Sequence, residues 1–235
     1  MGEILLEVAV ESFADAVVAA DAGADRLELC SDLRSGGLTP PLELYLQIRA
    51  AVSIPVVVMI RPRAGHFCYH QDELESMVRQ IDSFQPDAPA GFVFGALRTD
   101  GSIHLPASAK LRTSCGNIPA VFHRAWDEVP RTPDELESLV ALGFTRILTS
   151  GGSETALIGA DAIHGMIRSA AGRIEILPGA GIRSATVAEV VRRTGCRQVH
   201  GTFKKINPHQ PERTATDPGQ IRATRAALAQ CAGGY

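Results

Sequence analysis

Pro55-Val56-Val57-Val58-Met59-Ile60-Arg61 is a short apolar run that stops at a charged residue. It is one of eight such runs, each followed by a polar or Gly-rich turn and then by a helical segment. The eight runs are Ile4–Val10, Asp25–Leu29, Pro55–Ile60, Gly91–Gly95, Pro119–Phe122, Arg146–Thr149, Glu175–Leu177 and Gln198–Gly201. Alternating strand and helix signals indicate a parallel sheet, and eight units predict a closed (β/α)8 TIM barrel of the α/β class.

The length of the chain fits one barrel. With 235 residues it is long enough for a single TIM-barrel domain over residues 1–235 and short for two domains. After the last strand we expect a loop over 204–216 and a C-terminal helix over 217–230. Exposed helices of such barrels often pair with a second copy, so a homodimer is left open beside a monomer.

Charge and composition exclude several classes of partner. The net charge is −3 and the pI is near 6.2, which argues against a nucleic-acid-binding or acidic-membrane-binding protein. No run of about 18 apolar residues is present, so we expect no membrane span. The five cysteines are odd in number and scattered, as suits a protein of the reducing cytoplasm better than a disulfide framework.

Ionisable residues lie at the strand ends, where TIM barrels carry their active sites. Glu7 and Glu28 fall inside the first and second apolar runs, and His123 directly follows the fifth. A buried carboxylate or imidazole can have its pKa moved toward neutrality, so these three are the candidate general acids or bases. The alternative is that Glu7 and Glu28 belong to a purely structural salt-bridged layer of the barrel.

Candidate anion ligands occupy the same edge. A guanidinium group matches a carboxylate or phosphate, and a Gly-rich turn can bring backbone N–H groups up to an anion. The candidates are Arg61, Arg63, Arg124, Ser150, Gly151, Gly152, Gly179, Gly181 and His200. The alternative roles are counter-ions for the two glutamates and tight strand-to-helix turns.

Three residues could bind a soft metal. Cys30 ends the second strand, and the loop after the third strand contains His66 and Cys68. Thiolates and imidazoles suit Cu(I) or Zn²⁺, although His and Cys in loops are often only solvated.

Beyond these patterns, the chain resembles the copper homeostasis protein CutC family over about residues 4 to 203. The segments that carry the resemblance are Leu6–Val8, Gly23–Ser31, Gly36–Pro40, Pro55–Arg63, Val93–Leu97, Phe122–Ala125, Arg146–Gly152 and Ile176–Ile182. The resemblance implies a cytosolic TIM barrel that is linked by name to copper handling. It implies no particular reaction.

The resemblance also implies a Cu(I) site made by two cysteines, one late in strand one and one at the end of strand two. Cys30 matches the second position, but Ala9 stands at the first. Where the family reads Gly-Gly-Asp-Phe-Leu-Tyr after strand three, this chain reads Ala64-Gly65-His66-Phe67-Cys68-Tyr69. One hypothesis is that Cys68 or His66 joins Cys30 in a rearranged site; the other is that Ala9 marks a member without tight copper binding.

Three functions therefore remain open at this point. The first is a cytoplasmic copper homeostasis protein of the CutC type that binds Cu(I) through Cys30. The second is a barrel enzyme, a lyase or isomerase, that acts on a small anionic or phosphorylated substrate. The third is a scaffold without catalysis, whose polar lumen is a salt-bridge layer.

Overall fold

The computed structural model describes residues 3–130, 133–207 and 210–232, and eight of its strands form one parallel sheet. These strands are β1 (Leu5–Val10), β2 (Arg26–Leu29), β3 (Val56–Met59), β4 (Gly91–Phe94), β5 (Ala120–Phe122), β6 (Arg146–Thr149), β7 (Glu175–Pro178) and β8 (Gln198–Gly201). The helices are α1 (Phe13–Asp21), α2 (Leu42–Ala51), α3 (Gln71–Phe84), α4 (Leu105–Ser114), α5 (Pro133–Ala141), α6 (Ala160–Ala170), α7 (Ser184–Thr194) and α8 (Pro218–Ala232). All eight predicted strands are present, and the predicted TIM barrel is confirmed.

The order of the strands around the sheet is β7-β6-β5-β4-β3-β2-β1-β8. Strand β1 pairs with β2 on one side and with β8 on the other, which places Glu7 beside Arg26 and beside His200. Within the described strands no ladder pairing joins β7 to β8, so the ring has one seam. The register around β1 decides the chemistry of the lumen because it brings charged residues from three strands side by side.

The interior of the barrel is divided between an apolar and a polar part. The apolar part is a small cluster inside the ring, separate from the main core between sheet and helices; it contains Cys30, Val57, Met59, Val93 and Val121. The polar part lies around β1 and β8 and contains Glu7, Arg26, Glu28, Gln198 and His200, all of them buried. A buried charge without a partner is costly, so this part must be paired internally.

The segment 204–216 is not the irregular loop that the sequence predicted. It contains two antiparallel strands, β9 (Lys204–Asn207) and β10 (Gln210–Thr216), while residues 208 and 209 lie outside the described part. The Lys204 ammonium, 2.8 Å from Asp15 Oδ2, anchors the first strand to helix α1. The backbone N–H of Thr216 donates to the same carboxylate at 2.7 Å and anchors the second.

Helix α8 follows this hairpin and starts one residue later than predicted, at Pro218, and ends two residues later, at Ala232. Among the described helices, none combines the length and the apolar character that crossing a membrane requires.

Candidate active site

A cavity of about 260 Å³ opens at the carboxyl ends of the strands. Glu28 and His200 line one side, and Arg61 and His123 line another. The surface between them is largely apolar and includes Ala9, Leu33, Met59, Phe67, Leu148 and Ile182. A concave, mostly apolar pocket with a few convergent polar groups is the usual form of a small-molecule site.

Glu7, His200 and Glu28 form a connected chain at the base of this cavity. His200 Nδ1 lies 2.8 Å from Glu7 Oε1, and His200 Nε2 lies 3.8 Å from Glu28 Oε2. All three side chains are at least nine-tenths buried. Because Glu7 also accepts from the Arg26 guanidinium, it is the more strongly paired of the two carboxylates.

Beneath this chain lies a second polar layer, which the sequence reading missed. Arg26 Nη2 donates to Gln198 Oε1 at 2.8 Å, and Gln198 Nε2 donates to Glu175 Oε2 at 2.9 Å. The same carboxylate pairs with Arg146 at 2.9 Å. Period-two alternation could have found it, since Arg26 is two residues before Glu28 and Gln198 two before His200.

These contacts move the pKa values of the two glutamates apart. Burial alone would raise the pKa of Glu7, but the hydrogen bond from His200 and the Arg26 charge lower it to about 2. Burial raises the pKa of Glu28, and the Glu7 charge adds to this, although His200 opposes both. Burial would lower the pKa of His200, but Glu28 and Glu7 together raise it. Two carboxylates with diverging pKa values are typical of acid–base sites.

Cys30 lies next to the more easily protonated carboxylate. Its Sγ–H donates to Glu28 Oε2 at 3.5 Å, and the residue is fully buried. Burial and the neighbouring Glu28 charge raise the pKa of this thiol well above its ordinary value. Ala9, on the neighbouring strand β1, is in register with Glu28 and supplies no second sulfur. The residues present therefore do not fit a two-thiolate Cu(I) site.

Arg61 is a buried cation without a carboxylate partner among the described residues. Its Nη1 donates to the carbonyl oxygens of Ser35 and Gly37, at 2.8 and 3.2 Å, and its Nη2 to Gly65 at 2.8 Å. The Nε atom is buried and has no partner, and the guanidinium carbon lies 4.9 Å from the centroid of the Phe67 ring. A buried positive charge with no carboxylate among its described partners favours an anion nearby.

His123, a predicted general acid or base, is also buried, on the wall of the cavity. The backbone N–H of Ala125 donates to its Nδ1 at 3.2 Å, and its Nε2 has no hydrogen-bond partner among the described residues. Burial, together with the Arg61 charge, lowers the pKa of His123 to about 3. The imidazole is therefore neutral near pH 7.

Arg63 and Cys68, the predicted anion and metal ligands in the loop after β3, bond to other groups of the protein. Arg63 pairs with Glu73 at 2.5 Å and donates to the carbonyl oxygens of His66 and Cys68. Cys68 Sγ donates to the carbonyl oxygen of Arg98 at 3.1 Å. Arg63 thus stabilises its own loop and has a counter-ion already.

The Ser150–Gly152 turn was expected to receive an anionic ligand, but its anion is the protein's own Asp127. This carboxylate accepts from the backbone N–H groups of Ser150 at 3.1 Å and of Gly152 at 3.0 Å. The Gly151 N–H donates to Thr149 Oγ1 at 2.8 Å. Arg124, at the rim of the cavity, donates to Asp127 and to Ser150 Oγ. The backbone N–H groups of Ser150 and Gly152, which were predicted to receive a ligand, thus already donate to a carboxylate of the chain itself.

The turn after β7 borders the cavity. Gly181 lines it with φ of +71°, and a Cβ there would lie 2.9 Å from Thr155 Cγ2. Gly179 donates its N–H to Thr149 at 2.9 Å, and a Cβ at Gly179 would lie 3.5 Å from His200 Cδ2. A Cβ at Gly179 would also lie 2.7 Å from Leu148 Cδ1, so the two glycines allow the turn to pack closely against Thr155 and Leu148.

The predicted soft-metal ligands are not brought together. Within the described residues, one group of three or more metal-ligating side chains has its ligand atoms within 4.8 Å of each other: Glu7, Glu28 and His200. Cys30, Cys68 and His66 do not form such a group. Carboxylate and imidazole donors are harder than those that Cu(I) prefers, and Arg26 already neutralises Glu7.

Comparison with known proteins identifies the family of this chain. Residues 4–205 match the family model described as CutC family. The chain belongs to the CutC family. A CutC family protein of Rhizobium meliloti is 41% identical over 239 residues, which cover 97% of each chain. The copper homeostasis protein cutC homolog of Homo sapiens is 42% identical over 83% of this chain and 72% of its own length.

Solved structures agree with this assignment. The crystal structure of CutC from Streptococcus agalactiae is 34% identical, with a TM-score of 0.80 over 85% of this chain and 98% of that chain. Thiamine phosphate pyrophosphorylase from Pyrococcus furiosus superposes with a TM-score of 0.62 over 98% of each chain at 12% identity, which shows the shared barrel alone. The CutC fold of this chain is thus that of many barrel enzymes.

Proposed function

We propose that this CutC protein is a cytoplasmic barrel enzyme that carries out acid–base chemistry on a small anionic molecule, as a lyase or isomerase. The observation that carries the proposal is the buried pair His200–Glu28, 3.8 Å apart, on the wall of a cavity. A proton placed between these two groups can move to a substrate and back. Glu7 fixes the imidazole of His200 through its Nδ1 atom, and Arg26 in turn pairs with Glu7.

The charges of the residues around the cavity favour an anionic ligand. Glu7 is neutralised by Arg26, and Glu28 faces His200, so the polar layer is balanced. Arg61 adds a buried positive charge to the lining of the same cavity, with no carboxylate among its described partners. An anionic ligand would compensate that charge, and the apolar surface of the cavity would contact its body.

The test is a conversion screen. Wild type and Glu28→Gln are incubated in D₂O with a panel of small carboxylates and sugar phosphates, and ¹H NMR detects new products or exchanged C–H groups. We expect wild type to act on at least one compound and Glu28→Gln to lose about 10²- to 10⁴-fold in rate. Glu189→Gln, on the exposed face of α7, is the control. Equal rates in wild type and Glu28→Gln would contradict the proposal.

A second function, Cu(I) binding, is favoured by one specific contact. Cys30 Sγ and Met59 Cε both lie against Gly37, at 3.0 and 3.6 Å from where its Cβ would be, and both residues belong to the inner apolar cluster. Thiolate and thioether sulfurs are the ligands that Cu(I) prefers. The copper homeostasis name of relatives points the same way. Because burial raises the pKa of the Cys30 thiol, such binding would be weak and would release a proton.

An anaerobic Cu(I) titration against a competing chelator tests this second function. If it is correct, Cys30→Ser and Met59→Leu each weaken binding at least tenfold, while Cys231→Ser on α8 has no effect. Ala9→Cys, which restores the second family cysteine, should strengthen binding. Equal binding by wild type and Cys30→Ser would exclude a copper site at Cys30.

A further inference from the structure

His123 is held in one tautomer by the backbone. It follows β5 and caps the short 3-10 helix Arg124–Glu128, where its Nδ1 accepts from the Ala125 N–H at 3.2 Å. An imidazole nitrogen that accepts cannot carry the proton, so the neutral ring has its hydrogen on Nε2. The fold therefore presents an N–H donor at this position.

This donor has no acceptor within the described part of the chain. The Nε2 atom is buried without a hydrogen-bond partner, and the residue lines the cavity at 3% exposure. The ring packs against Phe67 with the centroids 4.6 Å apart, which restricts its rotation. A buried polar atom without a partner costs about 1–3 kcal/mol, and such atoms in a cavity are frequently reserved for a ligand.

We propose that the substrate is a small carbonyl compound, whose oxygen accepts from His123 Nε2–H while Glu28 removes a proton from the adjacent carbon. This inference rests on the proposed function and specifies its substrate class and intermediate. A neutral imidazole held at a helix N-terminus can polarise a carbonyl in this way. Arg61 contributes a fixed positive charge on the same wall.

The step balances without a cofactor. The Glu28 carboxylate takes the proton from the carbon next to the carbonyl, and the C–H electron pair forms the carbon–carbon double bond. The carbonyl π electrons move to oxygen, where the Nε2–H stabilises the developing enolate. Protonated Glu28 then returns the proton to the same carbon, which gives hydrogen exchange. Where that carbon carries a hydroxyl group, the hydroxyl proton moves to the former carbonyl oxygen, Glu28 protonates the former carbonyl carbon, and the new carbonyl forms at the hydroxyl-bearing carbon, which gives isomerisation.

Oxalate is the probe for this site, because it is a planar mimic of an enolate beside a carboxylate. Malonate, which has the same charge and is not planar, is the matched control ligand. We expect calorimetry to show oxalate binding at least tenfold tighter than malonate. His123→Ala should lose this difference, and His104→Ala should keep it, since His104 caps α4 with the same Nδ1 contact to Ala107 away from the lumen.

A ¹⁵N NMR spectrum of histidine-labelled wild type gives an independent readout. It does not depend on a variant, so it tests the inference even if His123→Ala folds poorly. The His123 signals should show the Nε2–H tautomer in the free wild type, and the Nε2–H proton should shift downfield with oxalate. An Nδ1–H tautomer, or equal affinity for oxalate and malonate, would overturn the inference. Its failure is distinguishable from that of the proposed function, because Glu28→Gln should still bind oxalate even where proton transfer is absent.

Discussion

His200 Nδ1 donates to Glu7 Oε1 at 2.8 Å, across the ladder between β8 and β1. The two residues are direct neighbours in register, so the sheet itself sets this hydrogen bond. The bond fixes the ring and turns Nε2 toward Glu28. The position of the candidate proton donor is thus a consequence of strand pairing.

Arg26 should be essential for the stability of the polar layer. Arg26→Met leaves Glu7 buried with only His200 as partner, and breaking a buried pair in this way costs about 3–5 kcal/mol. Urea denaturation at pH 7 measures the loss. The control is Arg173→Met, which breaks the exposed pair with Glu137 and should cost less than about 1 kcal/mol. An equal loss of unfolding free energy in both variants would show that the buried Arg26–Glu7 pair stabilises no more than the exposed Arg173–Glu137 pair.

Acid should destabilise the protein through Glu7. Its pKa is about 2 in the folded chain and near 4.5 when unfolded, so the unfolded state takes up the proton first. The contribution of Glu7 is complete above pH 4.5 and is lost as the pH falls toward 2, by about 3 kcal/mol in total.

The measurement is the urea midpoint between pH 3 and pH 7. Glu7→Gln should be less stable at pH 7 and should show a flatter pH dependence than wild type. Glu43→Gln, an exposed change on α2, controls for the loss of one negative charge. Parallel curves for wild type and Glu7→Gln would refute the assignment.

Gly95 should be irreplaceable because of His123. A Cβ at Gly95 would lie 2.7 Å from His123 Nδ1 and 3.1 Å from Phe122 Cζ, so Gly95→Ala must displace the ring. We expect a loss of about 1–3 kcal/mol and a changed His123 NMR signal. Gly165→Ala is the control: apart from the adjoining backbone of α6 itself, no atom of the described residues lies within 4 Å of its added Cβ, and it should stabilise by about 0.5–1 kcal/mol.

Lys204 should determine the stability of the β9–β10 hairpin. Its ammonium pairs with Asp15 at 2.8 Å and with Glu11 at 3.2 Å, and its side chain is mostly buried. Lys204→Met should speed amide hydrogen exchange at least tenfold in both strands and leave the barrel strands unchanged. Lys205→Met, at the next and exposed position, should have no such effect. Unchanged hairpin exchange in Lys204→Met would show that the ion pairs do not anchor it.

The sequence was sufficient for the barrel and for part of the site. Apolar runs at regular spacing predicted all eight strands, since periodicity is a local property. Glu28 and His200 were found because they interrupt such runs near their ends. The partners of Arg26 and Gln198 depend on register, which no local pattern encodes, because a slip of one residue reverses the face of a strand.

The loops were harder to predict for a related reason. Asp127, 23 residues before Ser150, accepts from the N–H groups of the Ser150–Gly152 turn, and Arg63 is paired with Glu73 in the first turn of helix α3. Residue types suggested anion and metal ligands, but the chain had already supplied the partners. The sequence shows which side chains could bind a ligand, whereas the tertiary contacts decide which of them are already bonded to other parts of the chain.

The seam between β7 and β8 has a mechanical consequence. Among the described residues, a side-chain hydrogen bond crosses this seam in place of a strand ladder: Gln198 Nε2 donates to Glu175 Oε2 at 2.9 Å. Because β7 and β8 share no ladder hydrogen bonds, separating these two strands would break none. Any change in the width of the barrel would therefore break no ladder hydrogen bond if it occurred at this seam, beside the strand that carries His200.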